Sequence, residues 1–123
     1  MSLAPLMRLH AAMAAPYALA LLFAPTWLCG LLSPHPLGIA GVEVARLFGA
    51  ATALVTCVAW IGAGLDDRRA QRRLAAALLL YMVLGTGISL AGQLGGAWGP
   101  LGWSNVAVYG VLALAYARRL RGR

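Results

Sequence analysis

The residues of this chain best suited to chemistry are a glutamate and an arginine inside its second apolar stretch. Glu43 and Arg46 stand three positions apart in the segment GVEVARLFGAA, Gly41 to Ala51. At that spacing, two side chains lie on the same face of a helix and can form an ion pair. Ionisable residues are costly to place in lipid, so they usually face a partner or a wet cavity. The pair is therefore the first candidate for a binding site.

Two further polar residues are expected at the same depth as this pair. Gln93 closes the third apolar stretch and Asn105 opens the fourth. We therefore predict a ligand-binding cluster of Glu43, Arg46, Gln93 and Asn105 at the outer mouth of the helices. Such a cluster would hold a polar headgroup or small ligand above apolar walls. The alternative is structural: an internal salt bridge and hydrogen bonds that lock the helices together.

Other polar residues give weaker indications of function. His10, Tyr81 and Tyr116 fall in the opposite half of the apolar stretches and are expected to stay apart from the cluster. His10 is a candidate haem or metal ligand, but a haem in a helical bundle usually has a second axial ligand, and His35 lies in the opposite loop. The chain contains no HExxH, GxSxG or catalytic carboxylate dyad, so a non-catalytic protein is favoured. The identity of any cofactor is left open.

The composition indicates that these residues are positioned by helices in a membrane. The chain has 123 residues, of which 62% are hydrophobic and 11% charged, and its mean hydropathy is +0.80. A soluble domain is roughly half apolar and a quarter charged. The net charge of +7 comes from ten arginines against three acids. Because the arginines flank apolar stretches, they indicate membrane orientation and argue against nucleic-acid binding.

The apolar stretches predict an all-α fold: a single-domain, antiparallel four-helix membrane bundle with spans at about 6–32, 40–65, 74–94 and 101–120. Pro16 and Pro25 interrupt the first span. The arginine-rich segments 68–73 and 118–123 fall on one side with Arg8, which predicts cytoplasmic N- and C-termini. Arginine without lysine, together with abundant alanine and glycine, suggests a bacterial inner membrane protein.

Small residues indicate where helices approach one another. Gly49 and Ala53 on the second span permit close packing, and the third span carries a run of small residues from Gly85 to Gly96. In lipid, such runs form helix–helix contacts. We therefore predict that the Gly85–Gly96 face supports self-association into a homo-oligomer.

The layout resembles the DoxX-like group of small four-span bacterial membrane proteins. The resemblance rests on ARLFGAA (Ala45 to Ala51), the tryptophan ending that span, the arginine-rich loop and LGWSNVAVYG (Leu101 to Gly110). It implies that Arg46 is the arginine typical of the second span, and that a role as a subunit of a quinone-linked oxidoreductase is open. The predicted function is a small non-catalytic membrane protein, either an accessory subunit of a larger complex or a binder of a lipid or quinone-like molecule. The alternatives are a transporter that uses the Glu43/Arg46 mouth and a membrane enzyme acting on a lipophilic substrate.

Overall fold

The structure, a computed structural model, describes residues 3–122, and these confirm the all-α prediction. The described part consists of five α-helices and one 3₁₀ helix. In chain order they are α1 (Leu3–Phe23), α2 (Pro25–Leu32), α3 (Ile39–Ala63), α4 (Arg68–Leu94), the 3₁₀ helix (Pro100–Gly102) and α5 (Trp103–Arg121). The predicted third span begins later than α4, because the charged segment before it is already helical. Asp67 caps that helix by accepting hydrogen bonds from the backbone N–H groups of Arg69 and Ala70.

The first predicted span is two helices rather than one. Proline disfavours helical geometry in the residue before it, and Ala24 accordingly leaves the helix with φ −137° and ψ 50°. Pro25 then begins α2, where its missing N–H costs nothing. Pro16, by contrast, is accommodated inside α1. The break at Ala24 makes α2 a separate short helix at the end of the molecule where α1 ends.

The long helices form two antiparallel pairs, α1 with α3 and α4 with α5. In both pairs, glycines allow the two helices to approach closely. In the first pair, a Cβ on Gly49 of α3 would press on the side chain and backbone of α1 at Leu21 and Leu22. Near the other end of the pair, Gly62 of α3 lies against Met7 of α1. The prediction that Gly49 permits a close helix approach is confirmed. The helix it admits is α1.

In the second pair, α4 packs on α5 through the face predicted for self-association. A Cβ on Gly85 would enter the ring of Tyr109 on α5, and a Cβ on Gly92 would meet the indole of Trp98. The face is thus a helix contact, but its partner belongs to the same chain. Gly85 and Gly92 thus pack on residues of the same chain, and self-association through this run of small residues stays a prediction.

Hydrogen bonds tie the helix ends together at both ends of the molecule. At one end, Arg72 donates to the carbonyls of Leu120 and Gly122, which brings the two arginine-rich segments together. At the other end, the backbone N–H of Gly99 donates to the Leu32 carbonyl at 2.7 Å, and the Ser33 hydroxyl donates to the Ala97 carbonyl at 2.9 Å. The loop after α4 is therefore fastened to the end of α2.

The exterior of the molecule is suited to lipid. Of the described helices, α1, α3 and α4 are long and apolar enough to cross a membrane. Large apolar side chains cover the outside, and the most exposed of them, Ile39, is 90% exposed. A water-soluble surface rarely carries apolar patches of this extent. The protein is therefore a membrane protein. Helix α5 is not among the three apolar helices, because polar residues occupy its first turn and arginines its last.

Candidate functional site

A cavity of about 300 Å³ lies between the two helix pairs. Every α-helix contributes to its wall, and most of the wall is apolar. The lining residues are His10, Met13, Ala14 and Tyr17 of α1, Leu28 and Leu32 of α2, Thr52 and Val55 of α3, Tyr81 and Met82 of α4, and Ser104, Asn105, Val108, Tyr109 and Leu112 of α5. Among residues 3–122, no aspartate, glutamate or arginine lines this cavity, so it suits an uncharged molecule.

A polar pair in the cavity wall bridges α5 and α1. The Asn105 side-chain amide donates to the Tyr17 hydroxyl over 3.4 Å, which is long for a hydrogen bond. The bond uses one hydrogen of the amide. Within residues 3–122, the amide oxygen of Asn105 and the hydroxyl hydrogen of Tyr17 make no other hydrogen bond. Both groups remain able to bind a polar atom of a ligand.

A second polar contact seals the cavity towards the arginine-rich end. His10 Nδ1 and the Tyr116 hydroxyl are 3.0 Å apart, and both side chains are buried. Their rings meet edge to face. Because a buried polar group without a partner is destabilising, this bond holds α1 and α5 together where they meet deepest in the protein.

His10 and Tyr81 line the same cavity as Asn105, although they were predicted to lie at a different depth from it. The hydroxyl oxygen of Tyr81 is buried beside Tyr109, but no hydrogen bond of good geometry joins it to the described chain. The cavity runs along the helices, so residues at different depths contribute to the same wall.

The four residues of the predicted outer cluster are not joined into one network. Glu43 and Arg46 form the predicted ion pair, with 2.7 Å between Arg46 Nη1 and Glu43 Oε1. Their side chains are 62% and 49% exposed, respectively, and neither lines the cavity. Gln93 donates to the Gly99 carbonyl at 3.2 Å, and its amide oxygen is buried without a partner in the described region. Of these four residues, only Asn105 lines the cavity.

The sequence does contain a pattern that marks the cavity. His10, Met13, Ala14 and Tyr17 recur at helical spacing, as do Asn105, Val108, Tyr109 and Leu112. Both patterns mix apolar and uncharged polar residues along one helix face. The prediction rested on the charged residues Glu43 and Arg46 instead. These two side chains neutralise each other, so they can lie on an outer face of the helix without a ligand.

The described residues have no grouping of three or more histidine, cysteine or carboxylate side chains that could hold a metal ion. The cavity wall offers hydrogen bonds and apolar contact, and these suit binding. No protein-family model, curated protein or solved structure matches this chain.

Proposed function

We propose that this protein binds a neutral lipophilic molecule, a lipid or a quinone-like compound, in the cavity between its helix pairs. The observation that carries the proposal is an apolar cavity with one weakly bonded polar pair and no charged residue from positions 3–122 in its wall. Ligand sites in proteins usually combine such apolar walls with a few polar groups that orient the ligand. The resemblance to DoxX-like proteins, some of which are subunits of quinone-linked enzymes, agrees with this choice.

The size of the cavity limits what it can enclose. Its volume of about 300 Å³ is at the lower end of ligand pockets, which span roughly 300–1,000 Å³. A single ring with small substituents, or one length of hydrocarbon chain, fits such a space. A whole phospholipid does not, so a larger ligand must leave part of itself outside the helices.

A role as accessory subunit of a membrane complex is the second candidate, and one observation favours it. The Glu43–Arg46 ion pair lies on the outer face of α3, close to exposed Val44 and Leu47. An ion pair on an apolar exterior is more stable against a protein partner than against hydrocarbon, because a partner can complete its hydrogen bonds. A subunit contact on this face would provide that environment.

Native mass spectrometry of protein extracted gently from its own membrane separates the two candidates. We expect a retained mass of a few hundred daltons on the wild type. Asn105→Leu should lose this mass, because it removes the polar group that orients the ligand while keeping the side-chain volume. Arg46→Gln, which lies outside the cavity, should keep it.

The accessory-subunit candidate predicts the reverse pattern. In that case the wild type leaves the membrane with a second protein, which Arg46→Gln releases and Asn105→Leu retains. A bare protein in all three samples contradicts both candidates.

The proposed environment is a bacterial inner membrane, crossed four times as one domain with both termini in the cytoplasm. The supporting observation is that the arginine-rich segments meet at one end through Arg72. We expect green fluorescent protein fused after Arg123 to fluoresce in bacteria and alkaline phosphatase fused there to be inactive. Alkaline phosphatase fused after Gly96 should be active. An active phosphatase at the C-terminus contradicts a fourth crossing by α5.

A further inference from the structure

The exposed part of the cavity wall shows where the cavity opens. Three lining residues are exposed: Met13 of α1, at 41%, and Ser104 and Val108 of α5, the latter at 38%. Ser104 and Val108 are four positions apart and so share one face of α5. The remaining lining residues are buried or half-buried. The mouth therefore lies on the side of the molecule, along the seam between α1 and α5.

Less exposed residues lie at both ends of the cavity. Leu28 and Leu32 of α2 contribute to the wall at one end, where hydrogen bonds fasten α2 to the loop after α4. The buried His10–Tyr116 contact lies at the opposite end. Leu28, Leu32 and His10 are less exposed than Met13 and Val108, which makes the seam the more open route.

The seam is the weakly packed side of the molecule. Helix α1 packs mainly on α3, and α5 packs mainly on α4, so the two touch each other only sparsely. Beside the mouth, the two helices are joined by the long Tyr17–Asn105 hydrogen bond. Exposed Leu9, one turn before Met13 on α1, and exposed Val111, two turns after Ser104 on α5, continue the apolar surface beside the mouth, which indicates that this side faces lipid.

From this geometry we propose that the ligand is a neutral amphiphile dissolved in the bilayer, and that it enters sideways through the seam between α1 and α5. The inference rests on the proposed ligand-binding function and adds its route and class of ligand. The apolar part of the molecule enters past Met13 and Val108. Its polar end is then bound by the free groups of Asn105 and Tyr17, just inside the mouth.

The rate of ligand capture from lipid tests this route. The protein is reconstituted in phosphatidylethanolamine/phosphatidylglycerol vesicles and mixed with vesicles that carry a photoactivatable long-chain alcohol with a diazirine group. Irradiation after increasing delays, followed by mass spectrometric mapping, gives the rate at which cavity residues become labelled. Labels on outward residues such as Leu54 provide an internal standard, since lipid reaches them directly.

We expect Val108→Trp to slow labelling of the cavity several-fold, because the larger side chain narrows the mouth. Val108→Ala should accelerate labelling of the cavity. Because Val108 is exposed, this small change leaves the fold intact. Leu114→Trp is the matched control, since Leu114 is exposed on the same helix, lies about 120° around that helix from Val108 and does not line the cavity; it should label like the wild type.

The outcomes distinguish the route from the binding function. Cavity labelling at equal rates in the wild type, Val108→Trp and Val108→Ala overturns sideways access and leaves the binding function standing. If only the outward residues of the wild type are labelled, even after long mixing, the proposed binding of neutral amphiphiles fails and the route fails with it.

Discussion

Gly85→Leu is expected to lower the free energy of unfolding by about 3 kcal/mol, as overpacking of a tight contact does. A Cβ at this position would enter the ring of Tyr109, and that ring lines the cavity. Relief requires α4 and α5 to move apart or Tyr109 to swing into the cavity. Denaturant titration of the protein in detergent micelles, followed by loss of helical circular dichroism, measures the change.

The same helix supplies a matched control. Gly87 lies two residues further along α4 and is exposed, and a Cβ there meets nothing within 4 Å. Gly87→Leu should therefore leave stability unchanged or raise it, because leucine is a better helix former than glycine. Equal losses in Gly85→Leu and Gly87→Leu would mean that the α4–α5 contact is looser than the structure shows.

The second large effect is expected where the buried histidine and tyrosine meet. Tyr116→Phe removes the hydroxyl that lies 3.0 Å from His10 Nδ1 and leaves that nitrogen buried without a partner. The expected loss is about 1–3 kcal/mol in the free energy of unfolding, the usual cost of stranding a buried polar group. The measurement is the same titration in detergent.

Tyr81→Phe makes the identical chemical change at a hydroxyl that lies beside Tyr109 but forms no hydrogen bond of good geometry among residues 3–122. It should lower the free energy of unfolding less than Tyr116→Phe does, because no well-formed hydrogen bond is lost. The comparison isolates the hydrogen bond, because both variants delete one oxygen from a tyrosine in the protein interior. A larger loss in Tyr81→Phe than in Tyr116→Phe would contradict the His10–Tyr116 bond.

The helical class could be predicted because it follows from apolar content and from periodic sequence, which are local properties. The role of Gly49 in a close helix approach was predictable for the same reason. The partner of the Gly85 face was not, since a run of small residues shows that something packs there without showing what. Only the packing of α5 against α4 decides it in favour of Tyr109.

The candidate site was harder to predict because charge and burial gave different signals. Glu43 and Arg46 draw notice as charges in an apolar segment, and their pairing was predictable from their spacing. Whether such a pair faces inwards depends on how α3 is rotated against α1, and the structure leaves it on the outer face. The cavity depends in addition on the break at Ala24, because α2 contributes Leu28 and Leu32 to its wall.

The arrangement in two helix pairs also bears on how the protein is assembled. Each helix pair is formed by elements close together in the chain. Helices α1 and α3 can therefore pack as soon as both have left the ribosome, and α4 and α5 can pack later. The cavity belongs to neither hairpin, because its wall draws on both. A ligand bound in this cavity would contact both helix pairs. Binding of the proposed ligand would therefore favour association of the two helix pairs.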